Sequence, residues 1–306
     1  MYRTIFFGSG SFAIPILKKL SQSTHYDLIL VISQPDKPAG RNRNICSTEI
    51  TDFCKKNIPF VRLLNPFKIE ELKEEIQKLK PDLCLVASYG QMIPEEILEI
   101  PRFGFLNFHG SLLPKLRGAV PIQTAILQQF KETGTTLQKM VLEMDAGDII
   151  AQRKIAVEDD DTTETLTKKL GNISAEMLEN EVLDYLRGTL APRPQDHSLA
   201  TYCYKRDFKR EKAEIKFDTP LEHVRPIVNA NYPWPIAWVN ISGKGRVKIF
   251  KVGGIMVKKM SDKIEFLKHE KSLCLSLKEG LVEVLELQLE GKRRDSYKNY
   301  FFLTSN

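Results

Sequence analysis

Four short apolar runs, Thr4 to Phe7, Leu28 to Ser33, Leu83 to Ala87 and Gly104 to His109, punctuate the first 150 residues, with amphipathic stretches between them. Runs of this length read as buried strands, and the intervening segments predict helices at about 12–22, 48–57 and 69–79. A further short strand is expected around Phe60 to Arg62. This β-α-β order restricts the fold to an α/β class built on a doubly wound, mainly parallel, Rossmann-like sheet. Ligands in such sheets bind beyond the carboxyl ends of the strands, where Ser88, Asn107 and His109 fall. Val120 to Gln129 then reads as a helix, and Thr135 to Val141 with Ile149 to Val157 as a strand pair flanking Met144 to Asp148.

The pattern changes further along. Thr163 to Leu186 carries apolar residues at 166, 170, 173, 177, 178, 182 and 186, the spacing of one helix face. Gly188, Pro192 and Pro194 follow in RGTLAPRPQDHS and predict a linker. Beyond it Val247 to Gly253, Ser272 to Leu277 and Leu281 to Leu287 read as strands of a small, OB-like β-barrel. One core rarely extends much past about 250 residues, so the 306-residue chain is expected to divide into residues 1–189, a linker at 190–206 and a barrel at 207–306.

Charge follows the same division. Residues 205–306 hold 21 Lys and Arg against 13 Asp and Glu, while residues 1–204 hold 24 against 26. An excess of positive charge confined to one domain suits a polyanion partner, and equally suits a domain kept soluble by its charge. The five cysteines, at 46, 54, 84, 203 and 274, form no CxxC pair, so neither a disulfide framework nor a zinc site is expected. No apolar stretch approaches membrane-spanning length and the N-terminus lacks a signal pattern. A soluble, cytoplasmic protein with no membrane association, no metal and no obligate protein partner is the expectation.

Gly8-Ser-Gly10-Ser-Phe-Ala13, between a strand and a helix, fits the dinucleotide pattern G-x-G-x-x-A, with Asp36 as the ribose-binding acid. A single match of this kind is weak. Asp36 lies between prolines in QPDKPAGR, a turn with basic neighbours that would crowd a ribose. A phosphate or nucleotide end of a substrate could use the same loop.

Asn107 and His109, in LNFHGSLLPKLRG, stand two residues apart on an extended segment and therefore face the same side. An amide donor and an imidazole converging on one small electrophile suggest acyl transfer; hydrogen bonding to each other or to a loop backbone is the alternative. Asp145, in MDAGD, is a carboxylate that could fix the imidazole or hold a water in a proton path. Asp148 is expected to cap or brace that loop.

LNFHGSLLPKLRGAVPIQTAI together with TGTTLQKMVLEMDAGDII resembles the folate-dependent formyltransferases, and SQPDKPAGR, ASYGQMIP, TYCYK, NYPWP and LQLEGKRR resemble, in order, the branch that formylates initiator methionyl-tRNA. The resemblance spans nearly the whole chain. It implies transfer of the formyl group of 10-formyltetrahydrofolate, as co-substrate, to the methionyl amino group, giving tetrahydrofolate and N-formylmethionyl-tRNA for translation initiation. It implies Asn107, His109 and Asp145 as catalytic residues. Tyr89, Gly90 and Ile93, the loop Ser111, Leu112, Leu113 and Pro114 with a cis bond before the proline, and the backbone of Met144, Ala146 and Gly147 would line the folate site. For Tyr89 and Ile93 ordinary core packing is an equal reading. Lys37, Arg41 and Arg43 of the polar loop at 34–47 would contact the tRNA, although Asn42-Arg43-Asn44 departs from the family's more basic run. Lys292, Arg293 and Arg294 are further candidates for RNA contact. Trp234 between two prolines reads as a rigid, buried domain junction.

Formylation of a small amine such as a nucleotide sugar or glycinamide ribonucleotide, a non-catalytic RNA-binding protein and a folate hydrolase are the other readings. The intact Asn107, His109 and Asp145 disfavour the second.

Overall fold

A computed structural model describes residues 1–39 and 44–304; Arg41 and Arg43 lie outside the described residues. Two compact units are formed. The first comprises residues 1–121, 132–156 and 167–202, the second residues 122–131, 157–166 and 203–306.

The first unit is built on a seven-stranded sheet. Its strands are β1 (Tyr2–Gly8), β2 (Tyr26–Ile32), β3 (Leu63–Leu64), β4 (Leu83–Ala87), β5 (Phe105–His109), β6 (Glu132–Lys139) and β7 (Ile149–Ala156), in the spatial order β7-β6-β5-β4-β1-β2-β3. The pairs from β3 to β5 are parallel, and β6 and β7 add antiparallel strands at one side. Parallel strands are covered on both faces and so carry continuous apolar runs; Ile5, Phe6, Phe7, Leu83, Cys84, Leu85 and Ala87 are at most 1% exposed. Helices α1 (Ala13–Gln22), α2 (Glu49–Asn57) and α3 (Lys73–Leu79) fall where periodicity predicts them. Thr48 starts α2 by accepting a hydrogen bond from the Thr51 amide, an N-cap.

Two expectations in this unit are corrected. The strand expected at Phe60 to Arg62 begins later, as β3: the Val61 amide closes a turn on the Ile58 carbonyl and Phe60 is exposed. The long helix ends its regular part early. It runs as α4 (Thr163–Met177), passes through a π-helical turn at Leu178–Val182 and resumes at Leu183–Leu186. The Leu178 carbonyl within that turn accepts a 2.5 Å bond from the Tyr26 hydroxyl, and a π-turn frees carbonyls for such partners.

The second unit is antiparallel: β8 (Ala237–Ile241), β9 (Gly245–Met256), β10 (Glu265–His269), β11 (Ser272–Leu277) and β12 (Gly280–Leu289) follow the order β8-β9-β12-β11-β10. Three register shifts along β9 against β12 are bulges that bend the strand and curl the sheet into a small barrel. Val239, Val247, Ile249, Phe266, Leu273, Leu275, Val282 and Leu287 fill it, with Val224 and Val228 of α5 (Leu221–Ala230).

Among the described residues no helix is long and apolar enough to cross a membrane, and no three His, Cys, Asp or Glu residues cluster as a metal site would require.

Candidate active site

β5 is flanked by β4 and β6, and its carboxyl end carries both Asn107 and His109. In register, Asn107 faces Gln138 and His109 faces Thr136 of β6. Alternation along the strand turns the Asn107 and His109 side chains to one side, toward the loop that joins β6 to β7.

That loop delivers Asp145. One of its oxygens, Oδ1, lies 3.5 Å from His109 Nδ1 and 3.4 Å from Asn107 Nδ2, and accepts a 2.9 Å bond from Gln138 Nε2. The other, Oδ2, accepts a 2.8 Å bond from the Gly118 amide. His109, 6% exposed, has its second nitrogen Nε2 2.9 Å from the Leu116 carbonyl oxygen. Both ring nitrogens thus face acceptors. A ring with a proton on each nitrogen satisfies both, and a neutral ring satisfies one. Asp145 fixes the ring by direct contact.

The loop around Asp145 has little freedom. Asp145 adopts φ +52°, the left-handed region that non-glycine residues occupy at a cost. A Cβ on Gly147 would run into the Lys139 carbonyl oxygen, so only glycine lets these two backbone segments approach. Asp148 is exposed and braces the loop through its backbone carbonyl, which accepts from the Lys139 amide. Met144 is half exposed, while Ala146 is buried.

The Ser111 to Pro114 loop is built as firmly. Leu113–Pro114 is cis, as the family resemblance implies. Thr136 Oγ1 donates to the Ser111 carbonyl at 2.7 Å and accepts from the Leu113 amide at 3.1 Å. Gln152 Nε2 donates to the Leu113 carbonyl at 2.8 Å, and Ser111 Oγ to the Lys115 carbonyl at 2.6 Å. Leu112 points toward Gly134, where an added Cβ would strike it.

Tyr89 and Ile93, each 2% exposed, pack in the core cluster with Phe7 and Phe105. Burial raises the Tyr89 phenol well above its ordinary range, and its hydroxyl has no partner among the described residues. What this segment presents is backbone, including Gly90 at φ +82°.

The glycine loop of β1 serves packing and a carboxylate. A Cβ on Gly8 would press on the Phe6 ring, the Ala13 Cβ and the Ala87 carbonyl oxygen. The Ser11 amide and hydroxyl bond the carboxyl of Glu49, so the N-terminus of α1 already holds a negative group where a dinucleotide phosphate would sit.

Lys37 is exposed and bonds Gln34 Oε1 at 3.3 Å. In the second unit Lys292 and Arg293 are exposed. Arg294 is engaged: its Nε donates to Glu286 Oε2 at 2.8 Å, and its guanidinium stacks over Phe250 at 4.5 Å and Tyr232 at 5.4 Å. Trp234 is 62% exposed and not a buried junction. The turn is closed without it, by Asn231 Nδ2 on the Ile227 carbonyl and the Ile236 amide on the Asn231 carbonyl.

Sequence reasoning missed Gln138, Arg117 and Gln195. Arg117 lay inside the quoted motif, and the Asn107-to-Gln138 register was readable only once β5 and β6 were known to pair.

Comparison with known proteins identifies the family. The Formyl transferase family matches residues 2–182, and its C-terminal domain, Formyl transferase, C-terminal domain, matches residues 207–302. A methionyl-tRNA formyltransferase of Hydrogenobaculum sp. is 38% identical over 95% of this chain and 94% of that protein. One from Caldanaerobacter subterraneus is 34% identical over 97% and 96%. Among solved structures, an N-formyltransferase from Helicobacter canadensis with folinic acid and dTDP-3-aminofucose superposes with TM-score 0.67 at 18% identity, covering 93% of this chain and 99% of its own. HypX from Aquifex aeolicus with tetrahydrofolic acid superposes with TM-score 0.64 at 17% identity, covering 98% of this chain and 46% of its own. These two share the fold. With both domains of the family matched in order and relatives similar from end to end, the chain belongs to the formyl transferase family, whose co-substrate is 10-formyltetrahydrofolate.

Proposed function

We propose that this chain transfers the formyl group of 10-formyltetrahydrofolate to the amino group of initiator methionyl-tRNA in the cytoplasm. The observation that carries the chemistry is the convergence of Asn107, His109 and Asp145 at the carboxyl end of β5. The acceptor follows from the relatives that are similar over nearly their whole length, which are named for methionyl-tRNA. None of the five cysteines is joined in a disulfide, which agrees with a reducing compartment.

Transfer forms a bond from the amine nitrogen to the formyl carbon and breaks the bond from that carbon to N10 of the folate. A tetrahedral oxyanion lies between. Asn107 Nδ2 supplies a donor for it, and removing one such donor typically costs about 10²- to 10³-fold in rate. One proton leaves the amine and one reaches N10. His109, held between the Leu116 carbonyl and Asp145, is the group placed to relay it.

The backbone of Tyr89, Gly90 and Ile93, the Ser111, Leu112, Leu113 and Pro114 loop and the Met144, Ala146 and Gly147 backbone form the folate surface in this reading. Residues 1–189 carry the chemistry together with Gln195 of the 190–206 segment, and residues 207–306 meet the tRNA. Lys37, Arg41, Arg43, Lys292, Arg293 and Arg294 are its phosphate contacts, with Arg294 contributing through a stacked, restrained guanidinium.

The test is acceptor dependence. Methionyl-tRNA, uncharged tRNA, free methionine and an amino-sugar nucleotide are each incubated with the protein and 10-formyltetrahydrofolate. Formyl transfer to methionyl-tRNA alone is expected; transfer to the sugar with charged tRNA left unmodified would overturn the acceptor assignment.

A further inference from the structure

We propose that Gln195, oriented by the buried guanidinium of Arg117, is a positioning residue for Asp145. Gln195 is 5% exposed although proline-rich sequence surrounds it. Its Nε2 donates to the Asp145 carbonyl oxygen at 2.9 Å and to the Gly147 carbonyl oxygen at 2.6 Å. Its Oε1 accepts from Arg117 Nη2 at 2.8 Å and Nε at 3.2 Å. Arg117, 1% exposed, also reaches His197 Nδ1 at 3.2 Å and Glu143 Oε1 at 3.5 Å.

The orientation of the amide follows from its partners. A guanidinium has donors only, so the oxygen of Gln195 must face Arg117 and the nitrogen must face the two carbonyls. One nitrogen tied to the carbonyls of residues 145 and 147 sets the Asp145–Ala146 and Gly147–Asp148 peptide planes. Those planes fix the direction in which the Asp145 side chain leaves the backbone, at a φ of +52° that no helix or strand imposes. Gly118 and Gln138 hold the carboxylate end; Gln195 holds the backbone end. Displacing a reacting group by about 1 Å can cost about 10²-fold, so this clamp acts on rate through Asp145.

A purely structural role, satisfying buried Arg117, is separable from this one. Gln195→Glu keeps an acceptor for Arg117 and adds charge to it, but removes both donors to the loop and sets carboxylate oxygen against two carbonyl oxygens. The inference rests on the formyl-transfer reading, so rates are compared for whichever amine the unsubstituted chain formylates. A different acceptor then revises that reading and leaves this comparison intact.

The experiment measures kcat, KM, tetrahydrofolate binding and the thermal midpoint of both chains. For Q195E the midpoint should stay within about 4 °C of the parent, tetrahydrofolate affinity within about threefold, and kcat should fall about 10²-fold. Gln195→Met, of similar length without polar ends, is the second variant, with rates read per folded molecule from near-ultraviolet circular dichroism. A kcat within about threefold of the parent in either folded variant overturns the proposal. So does a loss that appears in tetrahydrofolate affinity with kcat unchanged.

Discussion

The two units put their buried polar groups to different use. In the second, the barrel encloses a core of Val, Leu, Ile and Phe, and its exposed surface carries the charge. In the first, the sheet has an equally apolar middle, but a layer of polar groups, the buried His109, Arg117, Gln138 and Gln195 with the half-buried Asn107 and Asp145, sits at the carboxyl end of β5 and is stitched together by hydrogen bonds. Buried polar groups are tolerable only when partnered. The first unit therefore positions chemistry through its bonding network, whereas the second holds its shape by packing, and substitutions should separate the two.

The largest separation is expected at Asp145. Asp145→Ala removes the carboxylate that His109, Asn107, Gln138 and Gly118 address, and should lower kcat about 10³-fold, about 4 kcal/mol in activation free energy. Single-turnover transfer measures it. Thermal unfolding should shift only modestly downward, because alanine keeps the strained φ of +52° and the Gly118 and Gln138 donors lose their acceptor. A variant that lost stability and kept its rate would reverse the contrast between the units.

Phe266→Ala tests the other side. Phe266 is fully buried at the centre of the barrel, and truncation should cost about 3 kcal/mol of stability, read from the denaturant midpoint. Tetrahydrofolate binding by the first unit should be unchanged. Lost folate affinity at temperatures where the barrel remains folded would show that the units are not independent in energy.

Arg294→Ala is smaller. It removes a partly exposed ion pair with Glu286 and the stacking on Phe250 and Tyr232, together about 1 kcal/mol. If Arg294 also meets phosphate, the salt slope of tRNA binding should fall by about one. Lost stability with an unaltered slope would remove it from the RNA surface.

The apolar framework was legible because burial on both faces leaves an unbroken apolar run: Leu83 to Ala87 is β4 as read, and β5 differs by one residue at its start. Helix α5 was not, because Pro226 interrupts its interior and proline ordinarily ends a helix. β10 escaped because five residues of mixed polarity in EFLKH become a strand only by pairing with β11. At the site, Asn107, His109 and Asp145 were visible through their motifs. Gln195 was assigned to a linker by Pro192 and Pro194, which describe the local backbone; its meaning lies in partners 48 to 78 residues away in sequence. Hydrogen-bond networks of this range have no periodicity to read.

Glu49 sharpens the comparison most finely, since it is a polar contact of the first unit away from the reaction. Helix α1 has no side-chain N-cap of its own and no acidic residue in its first turn. Glu49 supplies the missing acceptor to Ser11, yet burial at that position raises its carboxyl above the ordinary range, the Ser11 bonds offsetting only part of the shift. A carboxyl whose folded-state value is raised contributes stability below its unfolded value and loses it as the pH rises through the folded one. An amide has no such proton to lose, so Glu49→Gln should be neutral in acid and slightly stabilising at pH 7, by no more than about 0.5 kcal/mol. Denaturant midpoints at the two pH values measure it. A loss at pH 7 would mean that the negative charge at the start of α1 outweighs its desolvation, and that the loop needs an anion there.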